Sequence, residues 1–238
     1  MERYKKKRRK LIAFSLAVLG LILALIAAFL IYALVYYRAD NEAMDVYNNS
    51  ARIEAQKNIT VLKPDEPSGA ALIFYPGAKV EHIAYAPLLD KLVKQGVTCV
   101  LIKMPLNMAI FNSDAADEVF DKVAGIDNWY IGGHSMGGAM ASKFASENKD
   151  KVSGLILLGA YVYGDYPPEK ALTVYGSFNS NLEKNIDYTE NIVVIEGGNH
   201  AYFGNYGEQK GDVPATISRD EQQNIAVTEI LKFIGDGD

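Results

Sequence analysis

Gly133-His134-Ser135-Met136-Gly137 sets one serine between glycines two positions away on either side, at the end of the apolar run "NWYIGG" and the start of "MGGAMASKFASEN". The pattern G-x-S-x-G in a strand-to-helix turn makes a nucleophile elbow, where the backbone is strained and the flanking residues must be small. Ser135 is therefore the candidate nucleophile. The helix that begins behind it offers the Met136 N–H to a developing oxyanion. A serine needs a base, and His200 follows "NIVVIEGG" downstream of Ser135, in the order serine, acid, histidine. A second oxyanion donor belongs in a loop after an early strand, and Ala78, just after "ALIFYPG", takes that place. Together these residues suit acyl transfer through a covalent intermediate, which needs no cofactor.

The other two histidines fit other tasks. His134 is the variable residue inside the elbow, with its side chain expected to point away from Ser135, and His82 near a helix start reads as a capping or rim residue. The three histidines are scattered, and with a single cysteine, Cys99, no spacing suits a metal. Tyr161, Tyr163, Tyr202 and Tyr206 fall near the site in sequence and are candidates to line an apolar acyl pocket.

These residues need elements to hold them. "NITVLK", "GAALIFY", "VTCVLIK", "NWYIGG", "VSGLILLG", "ALTVYG" and "NIVVIEG" are short, apolar and rich in β-branched residues, and read as strands. Helical patterns lie between most of them, at 83–95, 115–124, 136–148 and 219–234. The last opens with Ser218 and Glu221 at capping-box spacing. Near-continuous apolar strands alternating with helices imply a doubly wound, mostly parallel sheet covered on both faces. Each chemical candidate falls at a strand's carboxyl end, where such sheets bind ligands.

Charge is distributed unevenly along the 238 residues. Residues 1–10 carry seven of the 24 Lys and Arg against one acid, residues 11–37 carry no charge, and residues 38–238 hold 17 bases against 28 acids, a net of −11. So acidic a domain is a poor partner for nucleic acid. The 27 residues 11–37 exceed the roughly 20 that a helix needs to cross a bilayer. Tyr32, Tyr36 and Tyr37 sit where an aromatic belt would lie, and the basic start favours the cytoplasmic side. The expected organisation is a cytoplasmic tail at 1–10, a transmembrane signal anchor at 11–37 embedded in the lipid bilayer, a polar stalk at 38–57 and a catalytic domain at 58–238 outside the cell membrane.

The stretches "FYPGAKVEHIAYAPL", "GGHSMGGAMA", "IEGGNHAYFGNYGEQKGD" and "ATISRDEQQ" make residues 59–234 resemble an alpha/beta-hydrolase, of the small bacterial branch related to dienelactone hydrolase. The resemblance implies a sheet with Ser135 as nucleophile and His200 as base. It also aligns the family's catalytic aspartate with Asn179, in "VYGSFNSNL", which is a departure from the family pattern. Asp165 in "AYVYGDYPP" is the first alternative acid by resemblance, ahead of Glu183, Asp187 and Glu196. Only about a dozen residues separate "LILLGA" from "ALTVYG", too few for a lid domain. The expectation is a membrane-anchored carboxylic ester hydrolase with an open cleft, acting on a small or surface-attached acyl substrate. A weak or inactive hydrolase fold serving as a cell-surface binding module, and an acyltransferase using the same site, are the alternatives.

Overall fold

The computed structural model describes residues 1–236, which form two units, 1–36 and the chain from Tyr37 onward. The first unit is one helix, α1 (Glu2–Leu34), whose apolar stretch is long enough to cross a membrane. At 1.5 Å per residue it is about 50 Å long, against about 30 Å of hydrocarbon.

The second unit begins earlier than the sequence suggests. Segment 38–57, expected as a stalk, is part of the folded body: it forms α2 (Asn41–Asn49) and an edge strand β1 (Ile53–Gln56). Hydrogen bonds to the body explain why. The Tyr37 N–H donates to the Lys79 carbonyl at 2.7 Å and the Asp40 N–H to the Asn205 carbonyl at 2.8 Å. Asp40 also caps α2 by accepting from the Ala43 N–H at 3.0 Å and pairs with Arg219 at 3.0 Å. Partners held this way cannot leave the chain free as a tether.

The eight-stranded sheet runs β1-β2-β4-β3-β5-β6-β7-β8, with β2 (Ile59–Leu62), β3 (Ala70–Tyr75), β4 (Thr98–Ile102), β5 (Asn128–His134), β6 (Gly154–Leu158), β7 (Ala171–Gly176) and β8 (Ile192–Ile195). β1 and β2 are antiparallel to their neighbours, and the pairs from β4 through β8 are parallel. Alternation along β3 separates two cores. Leu72 and Phe74 face one layer with Leu88, Leu89, Leu92 and Ile230, while Ile73 and Tyr75 face the other with Ala141 and Phe144. The first layer is covered by α3 (Ala86–Val93) and α7 (Arg219–Gly235), the second by a one-turn α4 (Asp117–Phe120) and by α5 (Met136–Glu147), and a one-turn α6 (Ser180–Glu183) follows β7.

Two expected helices are shorter than their patterns. The turn His82–Tyr85 is a 3₁₀ helix that precedes α3, and of 115–124 only α4 is α-helical. α7 opens as expected, with Ser218 Oγ accepting from the Glu221 N–H at 3.1 Å. Between β6 and β7 the chain passes through a 3₁₀ turn, Pro168–Lys170.

β3 is flanked by β4 on one side and β5 on the other, so the chain reverses its direction of sheet growth there. That reversal opens a crevice outside the carboxyl ends of the strands. Tyr75 pairs with Gly133, His134 with Leu158, Leu158 with Val174 and Gly176 with Ile195, which brings the carboxyl ends of β3, β5, β6, β7 and β8 to one rim.

Candidate active site

Ser135 has φ +54° and ψ −122°, a conformation that costs a non-glycine residue about 1–3 kcal/mol and persists only where its surroundings impose it. The surroundings are visible. The Ser135 N–H donates to the Leu158 carbonyl at 3.0 Å, and its carbonyl accepts from the Ala139 N–H at 3.0 Å. A Cβ on Gly137 would overlap the carbonyl oxygens of Tyr75 and Pro76, and one on Gly133 would lie 2.6 Å from the Gly137 carbonyl carbon. The two glycines of the motif thus let α5 start against the end of β3.

The same close approach brings the turn after β3 to the elbow. There the Gly77 N–H donates to Tyr85 Oη at 3.0 Å, the Lys79 N–H to the Asn107 carbonyl at 2.7 Å and the Val80 N–H to the Gly77 carbonyl at 3.2 Å. Those neighbours are committed to the fold, whereas the Ala78 N–H has no acceptor among the described residues; Ala78 itself is not among the residues that line the cavity holding Ser135 and His200. Met136 is the first residue of α5, where N–H groups have no acceptor within the helix.

His200 stands at the end of β8, in a loop that α7 holds. Gln222, fully buried, accepts from the Asn199 N–H at 3.0 Å and donates to the Asn199 carbonyl at 2.9 Å. Asp212 accepts from the Ala201 N–H at 2.7 Å and from the His200 N–H at 3.3 Å. Burial pushes the His200 imidazole below the usual histidine range, and the Asp212 charge pulls the other way.

The Asn179 carboxamide nitrogen Nδ2 lies 2.9 Å from His200 Nδ1, and in this orientation Asn179 donates to the ring and leaves the ring proton on Nε2. The two ends of a carboxamide are nearly isosteric, and a half-turn about its last bond exchanges them. With Oδ1 toward the ring, Asn179 accepts from Nδ1–H and leaves Nε2 unprotonated, the tautomer a general base needs. A neutral amide fixes the ring in this way but adds little stabilisation to an imidazolium.

Asp165 is displaced from the role expected of it. Its side chain is 99% exposed and pairs with Lys149 at 2.7 Å, which lowers its pKa. The segment after β6 lines the cavity with Gly159, Tyr161 and Tyr163, and then turns outward so that Asp165 points to solvent rather than toward His200. Glu183 and Asp187 are exposed, and Glu196 accepts from the Ser177 hydroxyl at 3.3 Å. Asp212, which the sequence did not single out, is the carboxylate whose charge reaches the His200 ring.

Ser135 and His200 line one cavity of about 320 Å³ with Met136, Asn179, Tyr161 and Tyr163, and its lining side chains carry no formal charge among the described residues. Tyr161 and Tyr163 are thus at the site as expected, and Leu182 joins them. The other two tyrosines serve the fold: Tyr206 is buried against Tyr37 and Tyr85, and Tyr202 lies under the Arg219 guanidinium at 5.0 Å. His82 packs edge-on to Tyr47 with Nδ1 buried and unbonded. His134 is almost fully buried, bonded to Tyr85 through Nδ1 at 2.8 Å and to the His200 carbonyl through Nε2 at 2.9 Å.

A strained serine at the turn from a central strand to a helix, a histidine loop after the last strand and this strand order define a class. Residues 71–224 match the alpha/beta hydrolase family, and the chain belongs to that family. Among solved structures it is similar to TT1662 from Thermus thermophilus, at 12% identity and a TM-score of 0.53 over 76% of this chain and 97% of that one. It is also similar to Est1E from Butyrivibrio proteoclasticus, at 15% identity and a TM-score of 0.50 over 77% and 98%. A dienelactone hydrolase from Anabaena variabilis matches at 14% identity and a TM-score of 0.50 over 73% and 90%. No curated protein matches the sequence.

Proposed function

We propose that this chain is a membrane-anchored serine hydrolase that cleaves an uncharged carboxylic ester through an acyl-enzyme. The observation that carries the reading is the strained Ser135 elbow opening into the same cavity as His200, whose far nitrogen meets Asn179. Ser135 Oγ attacks the ester carbonyl while His200 Nε2 takes its proton, and the Ala78 and Met136 N–H groups hold the oxyanion. Collapse expels the alcohol, which leaves with the proton from His200. A water, deprotonated by the same nitrogen, then releases the carboxylic acid and restores the serine. A cavity without charged lining suits a neutral acyl group of modest size.

Residues 11–34 of α1 anchor the chain in the bilayer, with residues 1–10 cytoplasmic and the hydrolase unit, which already includes Tyr37, outside. The basic run before the apolar helix supports this orientation. Asn179 supports a second reading, in which turnover is slow or the site binds more than it hydrolyses.

The test is labelling of the full chain in detergent with a fluorophosphonate, beside Ser135→Ala and His200→Ala. The wild type is expected to label, Ser135→Ala not at all and His200→Ala far more slowly. Absence of label on the folded wild type would refute the enzyme reading. Protease added to intact cells should degrade the hydrolase unit, and its protection would reverse the orientation.

A further inference from the structure

His134 is bonded at both ring nitrogens, and the identity of its partners fixes the direction of each bond. Nε2 lies 2.9 Å from the His200 main-chain carbonyl, which has no proton to give, so His134 carries its hydrogen on Nε2 and donates. In the neutral ring Nδ1 is then an acceptor, and Tyr85 Oη, at 2.8 Å, is its donor. Tyr85 Oη has spent its only proton on this bond and itself accepts from the Gly77 N–H at 3.0 Å. The bonds run one way, from the Gly77 N–H to the Tyr85 hydroxyl, from that hydroxyl to His134 Nδ1, and from His134 Nε2–H to the His200 carbonyl.

The chain joins three loops that β3, β5 and β8 deliver separately to the rim of the sheet. One end is the turn holding Ala78, the middle is the residue next to Ser135 in sequence, and the other end is the backbone of His200 itself. The His134 and His200 rings lie 4.6 Å apart, and Phe203 packs against the His134 ring from another side, at 5.8 Å. Space is tight throughout. A Cβ on Gly77 would come within 2.8 Å of His134 Nδ1 and 2.9 Å of Tyr85 Oη, and one on Gly159 within 2.9 Å of His200 Nδ1.

From this geometry we propose that Tyr85 and His134 are positioning residues of the hydrolase reaction, which hold the base His200 and the Ala78 oxyanion turn in register with Ser135. The inference rests on the serine hydrolase reading above. The device requires a neutral His134. A second proton, on Nδ1, would face the Tyr85 hydroxyl donor, and the added charge would sit beside the catalytic imidazole and lower its basicity. Burial keeps the His134 pKa well below the ordinary histidine value, with His200 acting in the same direction. The rings of Tyr85, His200 and Phe203 are its neighbours, and Asp212 stands on the far side, at the backbone of the His200 loop.

Tyr85→Phe tests the proposal, because it removes one oxygen and keeps the ring that packs on Phe74 at 5.1 Å. Two measurements are made on the full chain in detergent micelles. In ¹⁵N-histidine spectra near neutral pH, wild-type His134 is expected as the Nε2–H tautomer, and in Tyr85→Phe its Nδ1 shift should move as the donor is lost. In fluorophosphonate labelling, Tyr85→Phe should react at least tenfold more slowly than wild type while its thermal midpoint shows it folded.

Labelling of a folded Tyr85→Phe at the wild-type rate, or a His134 found as the Nδ1–H tautomer, would overturn the positioning role. A folded wild type that takes no label would instead overturn the hydrolase reading, and the spectra would still report whether the bond chain exists. Should Tyr85→Phe fail to fold, the wild-type tautomer decides the matter: Nε2–H supports the proposal and Nδ1–H overturns it.

Discussion

In the proposed mechanism Asn179 decides how well His200 can work. It occupies the place of the family's acid and touches the imidazole, so it can hold the ring, but it brings no charge to meet the imidazolium that forms when Ser135 loses its proton. In serine proteases the corresponding Asp-to-Asn change costs about 10⁴ in turnover. Asn179→Asp is nearly isosteric and should raise the esterase rate, by tenfold or more, on a small chromogenic ester such as p-nitrophenyl acetate. An unchanged or lower rate would mean that the site is built for the amide. The pH profile should follow the same logic. His200 must be neutral to act, and burial lowers its pKa, so the acid limb of the wild-type rate should fall below pH 6.5, the ordinary histidine value. The carboxylate in Asn179→Asp favours the protonated ring and should move that limb upward. Ser135 and His200 were legible in the sequence from the elbow motif and the loop after a strand, and Asn179 through the family resemblance. Asp212 and Tyr85 were not, since each reaches the site through contacts made only after distant loops meet. His134 was seen but read as a bystander, because its partners lie 49 and 66 residues away.

The elements explain why one serine can be held in so costly a conformation. β5 and α5 meet at a corner where backbone packs on backbone, and no side chain fits between Gly137 and the carbonyls of Tyr75 and Pro76. Gly137→Ala should therefore lose about 3 kcal/mol in chemical denaturation, the upper range for overpacking, and should abolish labelling of Ser135. Gly235→Ala, at the end of α7 with open space around it, should change stability by less than about 0.5 kcal/mol. The strands from β2 to β7 were readable because their apolar runs are largely buried, and β8 because its run Ile192–Ile195 is apolar throughout, although Val194 is exposed. β1 escaped notice because it is a polar edge strand, with Glu54, Ala55 and Gln56 exposed and only Ile53 partly covered. Its place in the sheet comes from pairing with β2, from Ile53 opposite Leu62 to Gln56 opposite Ile59, and not from any periodicity of its own. A fragment starting at residue 58 would lose α2 and β1 and leave β2 as a bare edge. It should melt at least about 10 °C below a fragment starting at Tyr37 and aggregate more readily, as light scattering during the melt would show. Equal midpoints would restore the reading of 38–57 as a tether.

Across the whole molecule, all three histidines have pKa values lowered by the fold, chiefly through burial. His82 falls to about 4, with the nearby charge of Lys103 adding to the effect of burial. In the unfolded chain each would titrate near 6.5. Between that value and the native one, the unfolded state binds protons that the native state refuses, so stability rises with pH through this interval. The histidine contribution is therefore complete above about pH 6.5 and is lost as pH falls toward 4. Asp165 and Asp220, whose pKa values are lowered from 3.8 by Lys149 and Lys91, act only further into acid. Thermal midpoints of the hydrolase unit measured from pH 7.5 to pH 4.5 should hold level at first and then decline from about pH 6.5. His82 separates this effect from catalysis, because it packs against Tyr47 and not in the cavity with Ser135. His82→Gln keeps a polar side chain of similar reach without the titration, so its midpoint should decline less steeply between pH 6.5 and 4.5 while labelling of Ser135 at pH 7.5 is unchanged. If His82→Gln and wild type lose stability in parallel over that range, His82 is not the half-buried neutral histidine that its packing against Tyr47 and its buried Nδ1 imply.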